Sequence, residues 1–390
     1  MPNADANQGK LSYKAETSFN ETPGSGLTLK NLPFTGESLQ YNKQSEISNE
    51  VRSDRNVQDL VEVGVNVEGG IDFELSTYVE WFASFLKAAC MGTITDNNDQ
   101  ALDDVYSAAD SGLSQTNFTG GNDDAPPLGR AILFDDLFSG SGRTPAIVVA
   151  RPDGDTFSVR PQQTSTGTID AGAVYDYKET KNGSTRTSFL IEKYFADLAA
   201  GMVFTGCMVD SMTLNFASRQ ILTGSMNIVG NNSFASDEGV YTVGSRDELS
   251  GNPYSASANV GAVVIGANTA PIKSATLEIR NNLRGQDGLG DKFYLGTGTG
   301  RFEVMIRAEV YLNSLVMYNA MKNHDTLSII LGVQLGEVAL AFYVPAAKIN
   351  NGMPNITGIN TDVMLPLEFQ GIYDATEDAT IVVSEARALT

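Results

Sequence analysis

Few residues in this sequence have the type and spacing that catalysis or metal binding requires. The chain has a single histidine, His324, so it holds no pair of histidines for a zinc site or for acid–base work. Its two cysteines, Cys90 and Cys207, lie far apart and in apolar runs, which favours buried free thiols over a disulfide or a metal-ligand pair. His324 ends a helical pattern, where the helix C-terminus stabilises a cation. We therefore predict structural roles for all three.

Other motifs that suggest chemistry are equally weak. Gly296-Thr-Gly-Thr-Gly300 has the composition of a phosphate-binding loop, but a strand pattern follows it where a helix N-terminus is required. The acidic run from Asp96 to Asp104 lacks the spacing of a calcium-binding EF-hand loop, so a solvated acidic face is favoured over weak cation binding. A carboxylate pair for glycoside hydrolysis is defined only in space, and one Trp offers little for stacking on sugars. We predict no enzyme, no cofactor and no metal.

Composition bounds the class of protein. A length of 390 residues predicts about two domains, and 42% hydrophobic with 19% charged residues is ordinary for a globular protein. Lys and Arg number 26 against 47 Asp and Glu, a net charge of −21, which argues against tight binding of a phosphate backbone. It is compatible with a surface that nucleic acid passes without sticking. No run resembles a membrane span or a signal peptide, and free cysteines indicate a reducing cytoplasm.

One pattern of elements occurs twice in the sequence. In each case a strand is followed by a turn-rich loop, a second strand that starts at glycine, and a run with helical periodicity. The first occurrence spans Leu39 to Ala89 and the second spans Ala275 to Met321. An internal repeat of this size indicates two copies of one supersecondary unit. Duplication favours a building block over an enzyme, because assembly surfaces can be multiplied whereas catalysis needs one constellation.

The elements of each copy indicate a mainly β fold. Val61 to Val67 alternates strictly, which predicts a half-buried strand, and a second strand follows Gly69-Gly70. Thr77-x-x-Glu80 has capping-box spacing and begins a helix whose apolar stripe leaves Trp81 off to one side, either as an anchor for a neighbouring subunit or as a core residue. Each copy then holds several short strands and one helix. The expected class is α+β: a β-sandwich or barrel with a flanking helix.

The chain divides into segments of distinct composition. The expected segments are a polar, flexible arm (1–26), a first domain (27–232) with an insertion (about 91–185), a linker (233–261) and a second domain (262–390). The insertion carries scattered aspartates, and its apolar patches Ala131–Phe134 and Ala146–Ala150 predict short strands. The arm cannot bury enough apolar area to fold alone, so we expect it to order against a neighbouring subunit. We expect the insertion to lie on an outer surface.

Several stretches resemble the tail tube (major tail) proteins of long-tailed bacteriophages. In the first copy these are Leu39 to Lys43, Arg52-Ser-Asp-Arg55, Val67 to Leu75 and the helix from Thr77; the later stretches are Gly206 to Phe216, Gly224 to Gly230 and Ile272 to Asn282. The resemblance covers about 27–90 and 186–390 and does not extend to the insertion. It implies two tandem tube domains, each a β-sandwich or barrel with one helix, in a ring with a continuous inner β-barrel.

The resemblance also implies a function. The protein would be a structural subunit of the tail tube, a stack of rings through which DNA is ejected. A chain with two tube domains would form a ring from three copies. The implied partners are further copies, tape measure, tail terminator and distal tail proteins, and DNA that passes without specific binding. The protein would lie in the virion tail after assembly in the host cytoplasm. The alternatives are a tail-tip or hub component and a carbohydrate-binding β-sandwich on a virion surface.

Two groups of residues are candidates for assembly and DNA passage. The loop from about Ile47 to Gln58 would reach the next subunit or ring, and its mixed charges would fix orientation at an interface, with an ordinary charged surface loop as the alternative. These residues are Arg52, Asp54, Arg55 and Asp59. An acidic lumen would repel DNA and so lower drag. The lumen candidates are Asp72, Glu74 and Glu303, although Arg301 and Arg307 lie on the same predicted strand as Glu303.

Overall fold

The computed structural model describes residues 5–76, 79–102, 106–110, 115–121, 125–135, 144–160, 168–169, 173–247, 251–255, 260–266, 271–354, 356, 358–359 and 361–387. The two α-helices in these ranges are α1 (Val79–Cys90) and α2 (Val316–Asn323). The strands up to the end of the insertion are β1 (Gly9–Ala15), β2 (Leu27–Leu32), β3 (Gly36–Glu37), β4 (Gln40–Ile47), β5 (Leu60–Glu74), β6 (Ile94–Leu102), β7 (Tyr106–Asp110), β8 (Thr116–Thr119), β9 (Ala131–Asp135), β10 (Thr144–Ala150), β11 (Thr156–Arg160), β12 (Thr168–Ile169) and β13 (Ala173–Lys181). The strands after it are β14 (Phe189–Phe195), β15 (Ala200–Ala217), β16 (Thr223–Gly230), β17 (Asn232–Ala235), β18 (Val243–Arg246), β19 (Val260–Ile265), β20 (Ile272–Arg280), β21 (Arg284–Gln286), β22 (Gly296–Gly298), β23 (Glu303–Tyr311), β24 (Thr326–Leu335), β25 (Val338–Asn351), β26 (Met364–Gly371) and β27 (Val382–Arg387).

The first copy is two sheets that share one long strand. In sheet I, β1 pairs with β14, β14 with the first part of β15, and β15 with β17, all antiparallel. In sheet II, β4 pairs with β5, β5 with β16, and β16 with the later part of β15, again antiparallel. The short strand β3 continues β4 along β5. Because β15 belongs to both sheets, they fold over one another and enclose a core.

The second copy repeats this topology strand for strand. Its sheet I runs β19, β24, β25 and β27, and its sheet II runs β20, β23, β26 and the end of β25. Glu74 pairs with the first residue of β16, and its counterpart Tyr311 pairs with the first residue of β26. In each copy the helix begins five residues after this position (79 − 74 and 316 − 311). The expected duplication is therefore present in the backbone as well as in the sequence pattern.

The two copies are joined through their second sheets. Ser211–Ala217 of β15 pair antiparallel with Arg280–Ser274 of β20, so sheet II of the first copy continues into sheet II of the second. One apolar core spans both copies and includes the apolar side of α1. Trp81 is 1% exposed and meets Phe73 edge-on at 5.0 Å, so it is a core residue. Thr77, the expected N-cap, lies outside the described residues.

Residues 9–15 contradict the prediction of a flexible N-terminal arm. They form β1, which pairs with both β14 and β2, and Leu11 and Tyr13 are 2% and 3% exposed. β1 holds the same place beside β14 that β19 holds beside β24. The segment is thus the first strand of the repeat. The polar composition around it concealed the alternation of Leu11 and Tyr13.

Part of the expected linker is also ordered. β17 and β18 pair with β15 and β2, and Tyr241 between them is 4% exposed. Tyr241 forms a small apolar cluster with Leu27, Leu29, Leu190 and Val203, and this cluster covers the outer face of sheet I in the first copy. Arg246 donates two hydrogen bonds to the carboxylate of Glu192, which is 1% exposed, and its guanidinium stacks 3.9 Å from the Tyr194 ring. This segment therefore covers the first copy as well as linking the two.

The insertion has its own core but docks on the second copy. Strands form at both of its predicted apolar patches, in β9 and β10, and a separate cluster surrounds Phe118, Phe134 and Phe157. β13 pairs with β27, which extends sheet I of the second copy. Residues of β9 and β10 pack on the outer face of that sheet, against β24, β25 and β27. Arg130, 3% exposed, pairs with Glu179 of β13 at 2.8 Å and, across this contact, with Glu377 at 2.7 Å. Asp103, Asp104, Asp123 and Asp124 lie outside the described residues.

Candidate assembly surfaces

The solvent-facing side of sheet II is polar in the first copy. Along β5, Asp72 and Glu74 alternate with the buried residues Ile71 and Phe73, so both carboxylates point away from the core. Glu68 lies on the same side and accepts a hydrogen bond from Asn42 at 2.7 Å. The neighbouring strands β15 and β16 add uncharged side chains to this side, among them Thr213, Asn215, Ser225 and Asn227. Among the described residues, no cation forms an ion pair with these three carboxylates.

The same side of sheet II in the second copy is charged but compensated. Glu303, the third lumen candidate, precedes the buried residue Val304 and pairs with Arg301. This guanidinium lowers the pKa of the Glu303 carboxyl. The remaining pairs are Arg280–Glu278 at 2.5 Å, Arg307–Glu278 at 3.4 Å, Arg307–Glu368 at 3.2 Å and Lys273–Glu309 at 3.2 Å. The structure thus places Asp72, Glu74 and Glu303 on one continuous polar face, with Arg280, Arg301 and Arg307 as basic neighbours.

The candidate interface loop is the tip of a projecting hairpin. β4 and β5 remain paired beyond the core as far as Ile47 and Leu60. The tip, Ser48–Asp59, is closed by the Ser48 N–H, which donates to the Asp59 carbonyl at 3.0 Å. β5 is one continuous strand where the sequence predicted two. The strand passes through Gly69 because this residue, at φ +155°, has no Cβ; a Cβ there would lie 2.4 Å from the Ser38 carbonyl oxygen. Val61 and Val63 are 48% and 49% exposed, so the predicted burial of this strand holds only from Val65 onward.

The charged residues of this tip bind each other within the loop. Arg52 donates to both carboxylate oxygens of Asp54, at 2.9 and 2.7 Å, which lowers the pKa of Asp54. Asn56 donates to the same carboxylate from its backbone and side chain. The carboxylate of Asp59 accepts from the N–H of Leu60. Three of the four candidates therefore shape the tip, whereas Arg55 forms no ion pair with any residue that the structure describes.

Apolar residues on the same hairpin were missed by sequence reasoning, which attended to its charges. Val51 is fully exposed, and Val57 and Leu60 are 65% and 61% exposed. The corresponding hairpin of the second copy, β21 and β22, has Leu289 fully exposed and Leu295 66% exposed at its tip. Exposed apolar groups at projecting tips indicate surfaces that another protein covers. The signal available in the sequence was the presence of Val51 and Val57 within a charged loop.

The hairpin of the second copy shows what such a tip contacts. The carbonyl of Lys292 accepts from the N–H of Val65 at 3.0 Å. The backbone of Tyr294 exchanges two hydrogen bonds with the side chain of Asn231, at 2.8 and 2.9 Å. Lys292 also pairs with Glu62 at 3.6 Å. The tip between β21 and β22 therefore lies on the first copy, beside the β15–β20 junction.

The described residues contain no group of three or more His, Cys, Asp or Glu that could hold a metal ion. Cys90 and Cys207 are free and buried, as predicted, and burial raises the pKa of the Cys90 thiol to about 12. His324 ends α2 with φ +60°, and its N–H donates to the helix carbonyls, which confirms its predicted position. Among the helices described, none is long and apolar enough to cross a membrane.

A family model described as phage tail tube protein matches residues 6–371. The match spans β1 to β26 and the insertion, and only β27 of the second copy lies beyond it. No curated protein matches the sequence.

Proposed function

The chain belongs to the phage tail tube protein family and is a structural subunit of the tail tube, and from that premise we propose that three copies close a ring of six similar domains. Stacked rings form the conduit through which DNA leaves the virion. The observation that supports the number three is the strand-for-strand repeat with a built junction between its two copies. If the same junction forms between chains, each chain provides two successive positions of the ring.

The boundaries of these ring positions are part of the proposal. The first tube domain comprises β1 to β17 and carries the insertion, and the second comprises β19 to β27. The segment around Tyr241 connects them and also covers the first. The covalent connection gives the internal junction a high effective concentration, whereas the junction between chains depends on protein concentration.

Sheet II is the proposed wall of the bore. Its polar side has no cover among the described residues, while the outer face of sheet I is covered by the Tyr241 segment in one copy and by the insertion in the other. This arrangement supports an outer position for the insertion, as the sequence predicted. The carboxylates of Asp72 and Glu74 then repel passing DNA, and Glu303 does so less because Arg301 offsets its charge.

The hairpin tip at 48–59 is the proposed contact to the preceding chain. Within the chain, the tip at 287–295 lies on Val65 and Asn231 of the first copy. By the same relation, the tip of the first copy would lie on the second copy of a neighbouring chain, with Val51 and Val57 buried there and Arg55 able to pair across the contact. Arg52, Asp54 and Asp59 keep the tip in shape for it.

The other proposed partners rest on family membership alone. They are the tape measure protein inside the tube, the tail terminator and distal tail proteins at its ends, and DNA in passage without specific binding. We place the protein in the virion tail after assembly in the host cytoplasm, acting without catalysis.

Native mass measurement and three-fold averaging of electron micrographs of isolated rings test the proposal. We expect three chains per ring, with alternate positions that differ on the outside because only the first copy carries the insertion. Six full-length chains per ring would overturn it, and a purified protein that forms neither rings nor tubes at high concentration would do the same.

The bore is tested separately by co-sedimentation of tubes with short duplex DNA. Wild-type tubes should not retain DNA, whereas tubes of the Asp72→Lys, Glu74→Lys variant should retain it at low salt and release it as salt rises. The matched control reverses two exposed carboxylates away from sheet II, Asp237→Lys and Glu238→Lys. Equal retention by both variants would place Asp72 and Glu74 outside the bore.

A further inference from the structure

The internal junction between the two copies is also a template for the contact between chains, at the level of single residue pairs. This inference rests on the proposed ring. In the first copy, β15 runs between β16 and β20, so both of its edges are paired. In the second copy, β25 ends at Asn351, and Met364–Leu367 of β26 have no strand on the side away from β23 among the described residues. The second copy therefore lacks the strand that completes its sheet II.

The backbone of β25 already follows β15 to the point where it stops. β15 shifts register against β16 between Val209 and Ser211, and β25 shifts against β26 between Ile349 and Asn351. On each side of the shift, the residue of β25 and the corresponding residue of β15 are 140 residues apart in the sequence (349 − 209 and 351 − 211). Two copies that share a bulge at the same place share the local twist and direction that a bulge imposes.

The alternation of side chains continues past Asn351. By the same spacing Gly352 corresponds to Met212, a core residue opposite Met226. A Cβ on Gly352 would point at the Leu367 side chain, 2.7 Å away, so this residue faces the core as Met212 does. Met353 is 59% exposed on the other side. Residues 352–354 therefore follow the path of β15 without yet being paired as a strand.

The opposite edge is available on the first copy. β20, the partner of β15 in the template, corresponds to β3 and β4: Ala275 and Ile279 pair with β23 where Glu37 and Tyr41 pair with β5. Both pairs are offset by 238 residues (275 − 37 and 279 − 41). Neither β3 nor β4 has a second neighbouring strand among the described residues. An unpaired strand edge is a template for pairing with another chain.

We infer that residues 350–354 of one chain extend β25 and pair antiparallel with residues 43–39 of the next chain, in the register of the β15–β20 junction. Met353 corresponds to Thr213, which lies opposite Glu278 in the template, so Met353 lies opposite Gln40 of the next chain. Asn351 lies opposite Asn42, and Gly352 lies opposite Tyr41. The partner is a second copy of this chain.

Pro354 lies at a hydrogen-bonded position of this register, where its missing N–H removes one ladder bond, but the carbonyl that it would face already has a donor. Its counterpart Leu214 lies opposite Leu277, and the flanking bonds of Asn281 N–H to Asp210 and Ser218 N–H to Lys273 make this a hydrogen-bonded pair. The residue facing Pro354 is Leu39. Its carbonyl already accepts from Lys193 Nζ at 3.0 Å, and its N–H donates to Glu37 at 3.1 Å. The residue that cannot donate thus meets a carbonyl that is already satisfied.

Disulfide trapping in assembled tubes tests the register. Met353→Cys and Gln40→Cys place two thiols on a non-hydrogen-bonded pair, whose Cα atoms are about 4.5 Å apart and within disulfide range. The native thiols give a low background because both are buried and burial raises their pKa values. The matched control moves one cysteine by two residues on the same side, Met353→Cys with Asn42→Cys.

We expect covalent dimers and trimers from the first variant on mild oxidation of tubes, and little from the control or from unassembled protein. Crosslinking of the control in place of the first pair would show a different register and overturn the inference. Tubes that form normally but crosslink in neither variant would overturn it while leaving the proposed ring intact. Failure of the wild-type protein to form rings would instead count against the proposed function.

Discussion

The two copies of the tube domain share a backbone and differ in how they treat charge on the polar side of sheet II. In the first copy, Asp72 and Glu74 have no ion-pair partner among the described residues. In the second, an Arg or Lys accompanies every carboxylate that this side carries on β20, β23 and β26. The same fold thus supports an uncompensated acidic surface and a nearly neutral one. Topology is fixed by the buried positions, and the solvent side of the same strands is free to diverge.

The outer faces of the copies differ in the same way. Sheet I of the first copy is covered by the segment around Tyr241, and sheet I of the second by the insertion that leaves the first copy. Each cover is held by one arginine that pairs with a carboxylate beneath it: Arg246 with the buried Glu192 in the first copy, and Arg130 with the partly exposed Glu377 in the second. The duplication therefore preserved a core and an internal junction while each copy acquired a different exterior.

The largest expected effect comes from removing β1, since its equivalence with β19 makes it part of the core. Deletion of residues 1–15 should prevent the monomer from folding, because it uncovers the edge of β14 and removes Leu11 and Tyr13 from the core. The graded variant Leu11→Ala should lower the free energy of unfolding by about 2–5 kcal/mol. Urea denaturation of the monomer measures it. A truncated monomer with unchanged stability would restore the flexible arm and break the equivalence of β1 and β19.

This strand also shows how far the sequence alone could lead. The repeat, both helices, the projecting loop and the family were predictable, because apolar periodicity and glycine positions are local signals. β1 was not, since Leu11 and Tyr13 lie among polar residues and one of the two strands that pair with β1, β14, lies about 180 residues away in the sequence. The docking of the insertion on β27 was hidden for the same reason. Arg52 and Asp54 were identified by type, but their pairing within the loop depends on its conformation.

The second prediction concerns the cover of the first copy. Arg246→Met should lower the free energy of unfolding by about 3–5 kcal/mol, because it leaves the carboxylate of Glu192 buried and unpaired. The double variant Arg246→Met, Glu192→Gln should recover most of this loss. Thermal denaturation of the monomer measures both. A double variant no more stable than the single one would show that stacking on Tyr194 is the larger contribution.

The third prediction is the matched change in the second copy. Arg130→Met should cost less, about 2–3 kcal/mol, because Glu179 and Glu377 are 14% and 18% exposed and Lys181 remains 3.3 Å from Glu377. Hydrogen exchange should quicken along β13 and β27 while β14 and β15 stay protected. An equal increase in exchange in both copies would show that the insertion is not an independent cover of the second.

The fourth prediction compares the polar side of sheet II in the two copies. Arg307→Gln should lower the free energy of unfolding by about 1 kcal/mol at low salt, since it removes a partner of Glu278 and Glu368, and the loss should shrink as salt rises. Asp72→Asn in the first copy should change it by less than about 0.5 kcal/mol, because no ion pair is broken. Denaturant titrations at two salt concentrations measure the pair. A larger loss from Asp72→Asn would show that this carboxylate has a structural role.

The smallest effect, opposite in sign, is expected at Glu385 on β27, where the insertion buries a carboxyl. Burial raises the pKa of Glu385, although Arg387 and Lys178 partly offset the rise. Between the unfolded and folded pKa values the folded protein therefore holds more protons than the unfolded chain, so stability falls as pH rises through that window. Glu385→Gln should remove this fall and leave the variant slightly more stable than wild type at neutral pH.

The control is the exposed residue Asp237, which the register along β15 and β25 makes the counterpart of Glu385 in the first copy. Asp237→Asn should change neither the stability of the protein nor the pH dependence of that stability. Denaturation curves from pH 4 to 8 compare the two, and a flat difference between Glu385→Gln and wild type would show that the insertion leaves this carboxyl as solvated as the exposed one.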